Sequence, residues 1–168
     1  MEDYTIMIAL VVVILAIILV GTARAQSKPS KLRTDIPRML PYRGMVIRSA
    51  AENKIDPCLL AGVIERESAW DQNAINPADP SYGIAQVQVP TANDVRPGTT
   101  KEDLFNPEIC IEVAARYIAS LQSRYGIPLP FGIDAYNVGP GNWEKGNRNT
   151  AYRLAVLEFS KELCNGLD

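Results

Sequence analysis

The sequence predicts a mainly α-helical domain preceded by an N-terminal transmembrane helix. Two observations support this fold class. Residues 4–23 carry no charge, and the apolar residues beyond position 40 recur at helical spacing after Asp-Pro and Asn-Pro start signals. The length of 168 residues suits one globular domain and an appendage. We therefore expect a transmembrane anchor or signal segment at 1–25, a basic linker at 26–40 and one domain at 41–168.

The uncharged segment is long enough to cross a bilayer. As a helix, residues 4–23 would reach ~30 Å, the thickness of the hydrocarbon core. A cleaved secretory signal is the alternative, because residues 23–25 (Ala-Arg-Ala) have the small-x-small pattern of a cleavage site. Glu2 and Asp3 favour the anchor, since signal peptides begin with basic residues. The basic residues follow the segment, and the positive-inside rule would keep that side of the membrane cytoplasmic. An exported domain needs the opposite orientation, so the topology stays open.

The composition excludes several classes of function. The formal net charge of −2 argues against a nucleic-acid partner, whose phosphates need a surplus of Lys and Arg. Histidine is absent, which excludes Ser-His and Cys-His nucleophilic pairs and His-based zinc sites. Proton transfer near neutral pH therefore falls to carboxylates, Lys, Tyr or Cys. The three cysteines, Cys58, Cys110 and Cys164, permit one internal disulfide, between any two of them.

Each predicted helix has an apolar stripe or a start signal. In chain order we expect helices within 41–55, from Pro57, from Pro107 to a Gly126 cap, over 131–137 and from Thr150. Asp56 and Asn106 have the residue types of N-caps. Residues 73–103 are rich in Pro, Asn, Asp and Gly, and we expect a long cleft loop there. Alternation over residues 82–86 predicts one short extended piece, a small β element within this loop.

One carboxylate lies on the apolar face of the second helix. The stripe formed by Leu60, Val63 and Ile64 continues to Glu67 instead of another aliphatic residue. A carboxyl group held against apolar groups loses hydration, so its pKa rises and it can carry a proton near neutral pH. It would then suit a general acid. The alternative is a glutamate that reaches past the stripe to solvent or to an arginine.

Three short motifs follow in order along the chain. They are Glu-Ser at 67–68, Gly-Ile-Ala-Gln at 83–86 and Ala-Tyr-Asn at 135–137. This order resembles the lytic transglycosylases of the soluble-lytic-transglycosylase type, and the resemblance extends over residues 46–159. It implies a lysozyme-like, goose-type helical domain with a long cleft loop. The second motif departs from the family pattern, because Ile84 and Ala85 stand where the family has Leu and Met.

The resemblance also implies roles for individual residues. Glu67 is the expected catalytic acid and base, with the Tyr136 hydroxyl near it. The remaining residues are expected to bind the glycan substrate: Ser68, Tyr82, Ala85, Gln86, Tyr117, Tyr136 and Asn137. The resemblance calls for no metal and no organic cofactor.

The reaction that the resemblance implies is cleavage of the peptidoglycan bond between N-acetylmuramic acid and N-acetylglucosamine, with a 1,6-anhydro product. The expected partners are glycan strands, a membrane through residues 4–23, and an envelope-spanning or virion assembly. The domain would lie in the periplasm, anchored to the membrane, or on a virion, and would open the wall locally for a phage particle or a secretion machine. Two alternatives remain: a goose-type muramidase that admits water, and a non-catalytic glycan-binding component.

Overall fold

The structure is a computed structural model, and it describes residues 31–165. The predicted anchor or signal segment at 1–25 and the first part of the basic linker, 26–30, lie outside the described residues. Among residues 31–165, no helix combines the length and the apolarity needed to cross a membrane.

The described part of the chain is mainly helical, with small β elements, as the sequence predicts. Its α-helices are α1 (Arg43–Asn53), α2 (Pro57–Ser68), α3 (Val89–Val95), α4 (Pro107–Tyr125), α5 (Gly132–Val138), α6 (Pro140–Glu144) and α7 (Thr150–Glu162). A 3-10 helix covers Glu102–Phe105. The strands have two residues each: β1 (Lys31–Leu32), β2 (Ile75–Asn76), β3 (Ser81–Tyr82) and β4 (Cys164–Asn165).

The predicted start signals of α2 and α4 and the predicted stop of α4 are confirmed. The Asp56 side chain accepts a hydrogen bond from the Cys58 N–H at 2.8 Å and caps α2. Asn106 accepts one from the Glu108 N–H at 3.0 Å and caps α4. Gly126 ends α4 with φ 63°, a left-handed conformation that glycine adopts without steric cost.

The segment 73–103 has more structure than the predicted loop. It contains the β2–β3 hairpin, α3 and the 3-10 helix. The extended piece is limited to β3, because residues 83–86 form a tight turn between Tyr82 and Val87, which exchange two backbone hydrogen bonds of 3.0 and 3.1 Å. Helix α3 is only seven residues long and buries one apolar side chain, Ala92, so it has no apolar stripe that the sequence could reveal.

A similar difference affects residues 139–141. The Gly-Pro-Gly sequence at these positions predicts a helix stop, and α5 does end at Val138. The proline also begins the short helix α6, because its fixed φ and missing N–H are tolerated in the first helical turn.

The two ends of the described chain meet in a small sheet beside α2. Strand β1 pairs antiparallel with β4, which places Leu32 opposite Cys164. Cys164 forms a disulfide with Cys58 near the start of α2, with a Cα–Cα distance of 6.0 Å, while Cys110 is buried and free. Leu32 and Met39 are buried in the core. The described part of the predicted linker therefore packs on the domain.

Helices α2 and α7 run antiparallel through the core and position the candidate site. They approach closely at Gly62, where an added Cβ would lie 2.3 Å from the Ser160 Oγ and 2.5 Å from the Val156 carbonyl oxygen. This contact brings the end of α2, which carries Glu67, next to the start of α7, which carries Tyr152.

Candidate active site

Glu67 lies in the last turn of α2, where the helix leaves the core. The helix ends because Ala69 and Trp70 have left-handed backbones, with φ 50° and 73°. The Ser68 hydroxyl donates a hydrogen bond of 2.6 Å to the Ile84 carbonyl oxygen and ties the end of α2 to the turn at 83–86. The Glu67 side chain is therefore held in one place, partly buried, rather than extending into solvent.

The surroundings of Glu67 favour its protonated form. Burial raises the pKa of the Glu67 carboxyl group from 4.5 to about 7. Two contacts oppose this shift: the Tyr152 hydroxyl donates a hydrogen bond to Glu67 Oε1, and the positive charge of Arg66 lies nearby. Burial dominates, so the carboxyl group is poised to lose or gain a proton near neutral pH.

Two tyrosines from different helices lie near this carboxyl group. Tyr152 is its hydrogen-bond donor, whereas the Tyr136 hydroxyl donates to the Ala85 carbonyl oxygen at 2.9 Å. The motif predicts the Tyr136 hydroxyl near Glu67, and the charge of Glu67 contributes to raising the pKa of Tyr136, after the larger effect of burial. The hydrogen bond to Glu67 nevertheless comes from Tyr152, which the sequence pattern presents only as part of the apolar face of α7.

The turn at 83–86 forms the opposite wall of the site. Gly83 has φ 75°, and a Cβ there would lie 1.9 Å from the Leu104 carbonyl oxygen, so only glycine fits. The Gln86 amide nitrogen donates to the carbonyl oxygens of Ala74 and Gly83 at 3.0 and 2.9 Å, and its oxygen accepts from the Ser81 hydroxyl at 3.1 Å. Gln86 thus holds the hairpin and the turn together.

A cavity of about 370 Å³ lies between these walls. Five of the sequence-predicted site residues line it: Glu67, Gln86, Tyr117, Tyr136 and Asn137. The rings of Tyr117 and Tyr136 contact each other, with centroids 5.4 Å apart. The structure therefore brings the three motifs together around one concave surface.

The other three predicted residues are not part of the cavity lining. Ser68 bonds to the turn, and Ala85 is buried and contributes its carbonyl oxygen to Tyr136. The Tyr82 ring packs edge-on against Phe105, with centroids 5.9 Å apart, and the Lys101 ammonium group lies over it at 5.0 Å. These three residues support the wall of the cavity from behind.

Six polar residues outside the predicted set also line the cavity. They are Asn76, Asp79, Ser81, Gln88, Thr91 and Asn142. Asp79 accepts a hydrogen bond of 2.6 Å from the Gln88 amide. The sequence signal for these residues is the abundance of Asn, Asp and Gln in the segment 73–103. Only the folded hairpin shows which of these side chains line the cavity. Within residues 31–165, no group of three or more Cys, Asp or Glu side chains is placed to hold a metal ion.

The motifs and the fold define a known family. Residues 44–156 match the family model of the Transglycosylase SLT domain, and the chain belongs to this family. A membrane-bound lytic murein transglycosylase C from Sodalis glossinidius is 32% identical over 117 residues, which cover 60% of this chain and 32% of that protein. Its counterpart from Histophilus somni is 30% identical over 114 residues, which cover 60% of this chain and 31% of that protein.

Solved structures show the same fold. An inactive mutant of the lytic transglycosylase Slt from Pseudomonas aeruginosa superposes with a TM-score of 0.64 at 20% identity, covering 86% of this chain and 26% of that one. The 70 kDa soluble lytic transglycosylase from Escherichia coli gives 0.57 at 25% identity, covering 71% and 21%. The chain thus spans about a third of the length of the curated relatives and about a quarter or less of these two structures.

Proposed function

We propose that this chain is a peptidoglycan lytic transglycosylase, which cleaves the β-1,4 bond between N-acetylmuramic acid and N-acetylglucosamine and leaves a 1,6-anhydro end. The observation that carries this proposal is the carboxyl group of Glu67, which is partly buried, has a pKa of about 7 and opens into a polar cavity. Membership of the Transglycosylase SLT domain family supports the same activity and a peptidoglycan substrate.

In the proposed mechanism Glu67 acts first as an acid and then as a base. The protonated carboxyl group gives its proton to the glycosidic oxygen while the bond from that oxygen to C1 of the muramic acid breaks. The carbonyl oxygen of the neighbouring acetamido group bonds to C1 and stabilises the positive charge. The Glu67 carboxylate then takes the proton of the C6 hydroxyl, and the C6 oxygen replaces the acetamido oxygen at C1. The anhydro ring closes, Glu67 is protonated again, and no water is consumed.

The surrounding residues support both steps. A pKa of about 7 leaves a substantial protonated fraction at neutral pH and still allows the carboxylate to accept a proton. The Tyr152 hydroxyl donates to the carboxylate that forms in the first step. In our proposal the glycan contacts Gln86, Tyr117, Tyr136 and Asn137, which line the cavity.

A goose-type muramidase is the second candidate, and one observation favours it. Asp79 lines the same cavity as Glu67, so a second carboxylate is available to activate a water molecule. The two reactions differ in the mass of their products, because an anhydro fragment is lighter by one water than a hydrolysed one.

The test is digestion of purified peptidoglycan by the full chain, followed by mass analysis of the soluble fragments. We expect anhydro fragments, and Asp79→Asn should still release them because the proposed cycle needs no second carboxylate. Hydrolysed fragments that disappear in Asp79→Asn would instead establish the muramidase. Release of no fragments under any condition would support a non-catalytic glycan-binding component.

We further propose that residues 4–23 anchor the chain in a membrane, with the catalytic domain in the periplasm or on a virion. The curated relatives are described as membrane-bound, which supports an anchor. Seven residues, 24–30, separate the uncharged stretch from β1, and such a segment extends to at most ~25 Å. A tether of this length restricts cutting to nearby wall, which fits local opening by a phage particle or a secretion machine.

A further inference from the structure

A second concave surface lies at the other end of α2 from Glu67. It is an open, largely apolar groove of about 900 Å³ between the start of α2, the segment around Pro130 and the outer face of α7. Its apolar lining includes Leu59, Leu129, Leu154 and Leu157. We call it the apolar groove. Leu154 is 58% exposed, so the groove has an exposed aliphatic surface. Such a surface is typical of a contact site for another molecule or a membrane.

The chain enters the domain beside this groove. Strand β1 begins at Lys31, and Leu32 lies opposite Cys164 in β4. Cys164 is bonded to Cys58, and Cys58 itself lines the apolar groove. The segment that joins the proposed anchor to the domain therefore arrives next to the groove. With residues 4–23 in a bilayer, the seven-residue connection keeps this face within ~25 Å of the membrane surface.

The candidate active site lies at the far end of the same helix. Glu67 lies nine positions after Cys58, which corresponds to ~14 Å along the axis of α2. A domain that rests on the membrane through the apolar groove would therefore direct its cavity away from the membrane, toward the wall.

We propose that the apolar groove is a membrane-docking surface, covered by the acyl chains of the bilayer that holds the anchor. The proposal rests on the anchor part of the proposed function and is independent of the chemistry of Glu67. Lys161 on the groove lining and Lys31 at the start of β1 carry positive charge, whereas Asp56 and Glu158 on the lining carry negative charge. Because these charges cancel, burial of the leucine side chains, and not attraction to anionic headgroups, drives the contact.

Tryptophan placed in the groove tests this orientation in the full chain. Leu154→Trp reports on the apolar groove, and Ile75→Trp is a matched control: Ile75 is 55% exposed and precedes Asn76, which lines the cavity. Each variant is reconstituted in vesicles whose phospholipids carry bromine on the acyl chains, and in matched vesicles without bromine. The emission of the parent chain, which contains Trp70 and Trp143, is subtracted.

We expect the emission of Leu154→Trp to fall by at least half in brominated vesicles and that of Ile75→Trp to stay unchanged. Equal emission of Leu154→Trp in both kinds of vesicle would overturn the docking proposal, and a blue-shifted but unquenched signal would show that protein covers the groove instead. Flotation of the parent chain with the vesicles tests the anchor separately. A chain that does not float refutes the anchor together with the docking, whereas a chain that floats without quenching refutes only the docking.

Discussion

The two ends of α2 have opposite energetic character. At the start, Asp56 caps the helix, Cys58 is fixed by the disulfide to Cys164, and Leu59 packs into the core. At the end, Glu67 is a carboxyl group whose pKa burial raises to about 7, and two residues with positive φ follow it at 69–70. One end of the helix stabilises the domain, and the other end holds a group that would be more stable in water.

This difference indicates how a small domain can maintain an unfavourable acid. Shielding a carboxylate from water costs free energy, and the cost must be offset by the structure around it. The disulfide, the helix cap and the close packing of α2 on α7 at Gly62 provide that support within the same helix pair. Changes at the end with Glu67 should therefore alter activity and pH dependence, and changes at the other end should alter stability without altering the chemistry at Glu67.

The largest effect is expected from Glu67→Gln. One substitution removes both the acid and the base of the proposed cycle, and each such role contributes roughly 10²–10⁴-fold to a rate. We expect the release of soluble peptidoglycan fragments to fall by more than about 10⁴-fold, while glycan binding is retained. Release of fragments at the rate of the parent chain would exclude Glu67 from the mechanism.

At the other end of the helix, Cys58→Ser combined with Cys164→Ser should destabilise the fold without changing the chemistry. Loss of a disulfide that closes a loop of this length lowers the free energy of unfolding by roughly 2–5 kcal/mol. The measurement is urea unfolding, together with the rate of wall digestion at a temperature where the double variant is folded. Reduction of the parent chain should give the same loss of stability. A folded double variant with an impaired rate would contradict the separation between the two ends.

Glu67→Gln should also stabilise the protein at alkaline pH. The folded-state pKa of about 7 lies above the ordinary value of 4.5, so the folded state binds the proton more tightly than the unfolded state does. The free energy of unfolding of the parent therefore decreases as the pH rises from 4.5 through 7. At pH 8 the variant should be more stable than the parent by up to ~3 kcal/mol, and at pH 4 the gain should vanish. A pH-independent difference in urea unfolding would contradict this account.

The smallest predicted effect distinguishes the two tyrosines. The Tyr152 hydrogen bond lowers the pKa of Glu67, so Tyr152→Phe should raise it and move the alkaline limb of the activity profile upward by roughly one pH unit. Tyr136→Phe is the matched control, because its hydroxyl donates to Ala85 instead. We expect its alkaline limb to remain near that of the parent. Equal shifts in both variants would show that Tyr152 has no special role.

The helices and the acid could be predicted because their signals are local. The residue types at 56–57 and 106–107 specify helix starts by themselves. The position of Glu67 on the stripe of Leu60 and Ile64 predicts a buried carboxyl group, and the same spacing also fits a glutamate that reaches past the stripe to solvent. Membership of the family could be predicted because the three motifs at 67–68, 83–86 and 135–137 follow in the family's order. The roles of individual site residues remain predictions that the experiments above test.

What the sequence could not provide depends on contacts between distant segments. The partner of Cys58 lies 106 residues away and is selected by the pairing of β1 with β4. Tyr152 carries no motif, and its role follows only from the antiparallel packing of α7 on α2. Helix α3 is too short to show a period, and α6 begins at a proline that also signals a stop. The hairpin side chains that line the cavity, including Asp79, are positioned by the turn at 83–86, which the Gln86 side chain holds to the hairpin.

The central claim is that Glu67 carries a proton near neutral pH. The direct measurement is a titration of the full chain labelled with ¹³C at the glutamate carboxyl carbons, in which Glu67→Gln identifies the signal of Glu67. The account predicts a midpoint of about 7 for that signal. A midpoint near 4.5, the ordinary value, would mean that the carboxyl group is fully hydrated and ionised at neutral pH, and would contradict its role as the acid.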